Sequence, residues 1–147
     1  MKARFLRREE RSYAQSIFGK TLPLDDILVT DAVGSEVSPV QPFDSPTGRS
    51  KFCLAMGKEG FTSCMTMGIR PMFVHRLTHV WQRRFAPAKW KMSCDADGAT
   101  YQVGEPWHKY SPEQQAKIVS DWANGGMLLS DPRTPYISNH IRVGASQ

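Results

Sequence analysis

The chain has 147 residues, enough for one domain, and its 40% hydrophobic and 22% charged content excludes a disordered chain. Net charge is +5, and +4 of it falls in the first twenty residues, where Lys2, Arg4, Arg7, Arg8, Arg11 and Lys20 outnumber Glu9 and Glu10. No stretch approaches the roughly 20 apolar residues of a membrane span, and the basic start lacks the apolar run of a secretory signal, so the expected location is the cytoplasm of the producing cell or, after export, wherever a route that reads no such signal delivers it.

Leu6, Tyr13, Ala14, Ile17 and Phe18 share one helical face, which predicts a helix over 5–18, with Gly19 placed to end it. The apolar run 24–30 suits a short strand, and residues 34–49, rich in Gly, Ser, Pro and Val, read as a loop. Segments 51–56 and 62–67 predict two strands joined by a turn through Gly57 and Gly60. Gly68 and Pro71 punctuate the start of a helix at about 70–84. Residues 86–110 are irregular, with Asp97-Gly98 expected as a tight turn between short strands around Trp90 and Tyr101. The run from Asp95 to Gly98 resembles a fragment of a calcium loop, but the remaining ligands of such a loop are missing, and a turn is the better reading. Ser111 as N-cap, Pro112 at the first helical position and Gln114 in a capping box predict a helix over 111–124, stopped by Gly125-Gly126. A last short helix covers 135–142. This order predicts one α+β domain over 1–147 with a small, mostly antiparallel sheet. Cys53, Cys64 and Cys94 match no metal or redox spacing; free buried thiols are expected, with a Cys53–Cys64 bridge as the alternative.

The segment that carries chemistry is Phe73-Val74-His75-Arg76-Leu77-Thr78-His79-Val80-Trp81-Gln82. Two histidines four apart on a helix point the same way, one turn above the other, so both imidazoles can reach one metal ion. Phe73, Leu77, Val80 and Trp81 fall on the opposite side and are expected in the core. Alone, an HxxxH pair serves packing or surface roles as readily as metal binding.

In context this helix resembles the active-site helix of a zincin family: small bacterial peptidase-like domains found alone or fused to Rhs-type and type VI secretion spike proteins. The family helix reads His-Glu-Leu-Thr-His-Val-Trp-Gln. The resemblance extends to Ile17-Phe18-Gly19, to Met65-Thr66-Met67-Gly68, to the stretch from Glu113 to Val119, and to the stretch from Pro135 to Arg142. It implies a zinc site held by His75, His79 and Glu113, with the fourth position left open. For Glu113 the plainer role is to favour a helix N-terminus, and the two are compatible. It also implies a peptide or protein substrate, carriage by a spike or Rhs protein through a contact-dependent secretion system, and an immunity protein in the producing cell.

Arg76 departs from that pattern. The family glutamate there takes a proton from the attacking water and passes it to the leaving amine. A guanidinium, with a pKa above about 12, cannot act as that base, and its charge disfavours a nearby cation unless it swings away. Lys117 stands where relatives place an acid that orients a ligand histidine, and a lysine cannot accept that hydrogen bond. The glutamate at 76 was either replaced to disarm the enzyme or lost in a natural pseudoenzyme, so the chain as written is expected to be inactive. His108 and His140 as ligands, and Tyr101, Tyr110 or Tyr136 as oxyanion donors, are weaker candidates, each with a surface or packing role as the simpler reading. Three functions compete: a peptidase effector, a non-catalytic binding module that keeps the groove, and, ranked last, a nucleic-acid binder using the basic first helix.

Overall fold

The structure, a computed structural model, describes residues 2–33, 37–40, 51–90 and 100–147. Strand β1 (Ala3–Phe5) precedes helix α1 (Arg8–Phe18), and a 3-10 turn at Leu24–Asp26 leads into β2 (Ile27–Thr30). Then come β3 (Val37–Val40), β4 (Lys51–Ala55), α2 (Gly57–Thr62), α3 (Arg70–Phe85) and the single turn α4 (Pro87–Trp90). Helix α5 (Pro112–Asn124) follows a 3-10 turn at Trp107–Lys109, and α6 (Thr134–Tyr136) runs into a π-turn at Ile137–Ile141. The fold is α+β, with helices gathered on a four-stranded sheet of order β1-β2-β4-β3. β1 pairs antiparallel with β2 and β3 antiparallel with β4, while β2 and β4 run parallel.

The expected apolar faces are the buried ones. Ala14, Ile17 and Phe18 of α1, Ile27, Val29 and Leu54 of the sheet, and Phe73, Leu77, Val80 and Trp81 of α3 all lie in one core with Ile118, Val119 and Trp122 of α5. Gly19 ends α1 at φ +62, a conformation that favours glycine, and its N–H bonds the Gln15 carbonyl at 2.9 Å. The π-turn closes the far side, where the Ile141 carbonyl accepts from the Trp81 indole (2.9 Å) and the Thr21 hydroxyl (3.0 Å).

Four expectations are corrected. The first helix starts at Arg8, because residues 3–5 pair with β2 as a strand. Part of the expected loop 34–49 is strand β3, held by the β4 edge; the rest of that loop lies outside the described residues. Segment 62–67 is not a strand, and the expected turn before it is helix α2. The cause is a distant side chain. The Arg4 guanidinium donates to the Gly60 (3.2 Å) and Phe61 (2.6 Å) carbonyls at the end of α2, and the Cys64 N–H is taken by Glu10 at 2.8 Å instead of a strand partner. Trp90 lies in α4 and Tyr101 in no strand, while Asp97-Gly98 and Cys94 lie outside the described residues. Cys53 and Cys64 are not joined in a bridge.

Glu10 is the centre of a polar pin. Its fully buried carboxylate accepts from both Arg4 Nη atoms (2.8 and 2.9 Å) and from the N–H groups of Arg7 (2.7 Å) and Cys64 (2.8 Å). Burial pushes its pKa up, but these four donors outweigh burial and hold it at about 2. The pin joins β1, the start of α1 and the segment that leads into α3.

Candidate metal centre

Pro71 in the first turn of α3 and the apolar face behind it set the rotation of that helix against α5. The Ser120 hydroxyl of α5 donates to the Pro71 carbonyl at 3.1 Å and ties the two helices at their near ends. His75 and His79 then stand one turn apart on the face opposite the core, with ring centroids 4.8 Å apart and planes at 79°. His79 is buried and His75 about a quarter exposed. From the other side, Ser111 caps α5, accepting from Gln114 N–H at 3.1 Å while Gln114 Oε1 accepts from Ser111 N–H at 2.8 Å. That cap puts Glu113 in the first helical turn, facing α3.

The three expected ligands meet. Glu113 Oε2 lies 2.8 Å from His75 Nε2, and Oε1 lies 3.0 Å from His79 Nε2. One ligand atom from each residue falls within 4.8 Å of the others, so the group could hold a metal ion. In a tetrahedral site with bonds of about 2.0–2.1 Å, ligand atoms sit about 3.3 Å apart, so accommodating an ion from separations of up to 4.8 Å needs side-chain movements on the order of 1 Å. Hydrogen bonds to His75 and then His79 hold the Glu113 carboxyl well below the usual carboxylate range, against the upward push of burial.

The donor chemistry also fits a cation. His79 Nδ1 lies 2.8 Å from Gln82 Oε1, an acceptor, which places a proton on Nδ1 and leaves Nε2 to meet the Glu113 carboxylate either through a second proton or, with the lone pair bare, through a metal ion. A lone pair and an anionic oxygen at 3.0 Å repel unless a positive species, a proton or a metal ion, lies between them.

Arg76 is 4% exposed and folds back one turn along α3, its Nη2 lying 3.6 Å from Met72 Sδ. Burial lowers its pKa, and attraction to Glu113 offsets part of that. Lys117 points to Asp121 Oδ1 (3.3 Å), and the partner that orients His79 is Gln82, a residue sequence reasoning missed. Only its spacing, three residues after His79 on the same helix, pointed to it in sequence; its complete burial is seen in the structure.

The remaining candidates are elsewhere. His140 stacks on Trp107 (5.6 Å) with Nδ1 against the Ala145 carbonyl (2.8 Å), and His108 is exposed; neither belongs to the ligand group. The Tyr101 hydroxyl donates to Asp121 at 2.7 Å, Tyr110 to the Gln102 carbonyl at 2.6 Å, and Tyr136 to the Glu105 carbonyl at 2.6 Å, so these hydroxyls hold the 101–105 segment. A hollow of about 320 Å³ adjoins His75, lined by Pro71, Met72, Lys117, Ser120 and Asp121. Two larger ones, of about 420 and 440 Å³, include none of the three ligands. Among the described residues no helix is long and apolar enough to cross a membrane. In comparison with known proteins, the chain matches no family model, no curated protein and no solved structure.

Proposed function

We propose that the chain is a zinc-metallopeptidase-like effector domain whose general-base position is occupied by Arg76, leaving it inactive as written. The observation that carries this reading is the convergence of His75, His79 and Glu113 from two helices on one point. Two imidazoles and one carboxylate are the ligand set of a catalytic zinc site that keeps a position open. Zinc, when bound, would supply Lewis acidity toward a carbonyl and an acidified water. The chain's own part is to bind and orient: α3 and α5 present the ligands, and the hollow beside His75 gives a substrate segment a place to lie. Arg76 sits between the two histidines on α3 and cannot take up a proton, so the acid–base assistance worth about 10²–10⁴-fold is missing.

The setting that accompanies this reading is antagonism between cells, with the domain carried by a secretion spike or Rhs protein. A small immunity protein would cover the groove between the His75–His79 helix and the upstream strands.

The test is Arg76→Glu, with folding checked by circular dichroism. It should bind zinc more tightly than the parent, because a cation beside a dication is exchanged for an anion, and it should cleave a peptide library in a chelator-sensitive way. The parent should not. Cleavage by the parent would refute the role given to Arg76; a folded, zinc-loaded Arg76→Glu chain that cuts nothing would favour the second reading. That reading is a non-catalytic module that binds protein through the same groove. It is favoured by the burial of Arg76, which the fold accommodates as a packed side chain.

A further inference from the structure

Gln82 and Gln115 are uncharged, almost wholly buried, and placed on the two helices that carry the ligands. A buried amide must match one acceptor and two donors to its surroundings, and here main-chain carbonyls decide which end is which. Gln115 Nε2 donates to the Trp107 carbonyl at 2.9 Å, so its Oε1 faces Gln82. Gln82 Nε2 donates to that oxygen at 3.0 Å and to the Pro112 carbonyl at 2.9 Å. Gln82 Oε1 is therefore turned to His79 Nδ1. Reversing either amide would set acceptor against acceptor in a site closed to water. His75, by contrast, has no hydrogen-bond partner for Nδ1 among the described residues, and its side chain is 27% exposed.

We propose that Gln82 and Gln115 are positioning residues: the pair keeps the His79 proton on Nδ1, so that Nε2 presents its lone pair at the point shared with His75 and Glu113. The functional meaning rests on the reading of that point as a metal centre. One ligand is thus set in advance by a relay anchored on two carbonyls, while the other keeps freedom to adjust. Gln115 touches no ligand and acts only through Gln82.

The experiment uses the whole chain with ¹⁵N-labelled histidine. Ring ¹H–¹⁵N spectra at pH 8 should show a proton on His79 Nδ1 in the parent, with or without zinc. In Gln82→Met, which matches the length but lacks the acceptor, the proton should move to Nε2 in the metal-free protein. Zinc affinity, read by competition with a chromophoric chelator, should fall about 10–100-fold. Gln115→Met should shift both readouts the same way by less. The double variant should bind zinc no more weakly than Gln82→Met, the non-additivity expected of a relay. A bare Nδ1 in the parent would overturn the proposal, as would a folded Gln82→Met with unchanged tautomer and affinity. If neither the parent nor Arg76→Glu bound zinc, the metal-centre reading would fall, and the ring spectra would still decide the tautomer.

Discussion

Glu10→Gln tests the pin that holds the start of the fold. The carboxylate, itself fully buried, takes four hydrogen bonds from a guanidinium and two main-chain N–H groups. A glutamine offers one acceptor oxygen to those donors and leaves Arg4 without its counter-charge. Its folded pKa of about 2, against an ordinary 4.5, corresponds to about 3 kcal/mol of stability. The pKa is depressed, so this contribution is fully present above about pH 4.5 and is lost as pH falls toward 2. Removing one partner of a buried pair costs a similar amount, about 3–5 kcal/mol. Urea unfolding of parent and variant from pH 7 to pH 2.5 should show a gap of about 3 kcal/mol at neutral pH that narrows steadily below pH 4.5. Taking the difference cancels the titration of the other carboxylates. Equal stability at pH 7, or a gap that does not narrow in acid, would refute the pin.

Glu113→Ala should weaken zinc binding by more than about 100-fold, measured by the same chelator competition, because an imidazole pair alone leaves the site short of an anionic ligand. Ser111→Ala should cost about 1 kcal/mol in urea unfolding through loss of the N-cap of α5, and should also weaken zinc binding, since that turn carries Glu113. A thiol reagent at pH 8 should label half-buried Cys53 in the folded chain and reach Cys64 only on unfolding. Burial, then the charge of Glu10, pushes the Cys64 thiol up to about 12. Mass mapping of labelled peptides separates the two.

Helices α3 and α5 were legible because their signals are local: a ten-residue segment, Phe73 to Gln82, with an apolar face and a histidine face in the one, and a cap, a proline and a glycine stop in the other. The two histidines were legible from their spacing, and Glu113 only through what the family resemblance implies. What was not legible depends on residues far apart in the chain. Helix α2 ends where it does because Arg4, more than fifty positions earlier, supplies donors to its last carbonyls. Glu10 reads in sequence as one more solvated charge on a basic helix, and only the arrival of Arg4 and Cys64 makes it a buried one. Strand β3 belongs to a segment with loop composition and exists through its pairing with β4. Gln82 lies within the histidine segment, but a glutamine has no fixed role until its neighbours determine which end of the amide points where.

His75 and His79 stand in the middle of a long packed helix, whereas Glu113 stands in the first turn of another. Helix ends open far more readily than helix centres or the whole fold. An ion held by the three would therefore leave by a local route, when one turn of α5 frays and the carboxylate lets go, with the core intact. Ser111 and Gln114, which close that turn, would set the residence time of the ion, and a stronger or weaker cap at this point would tune its exchange rate without altering any atom that touches it.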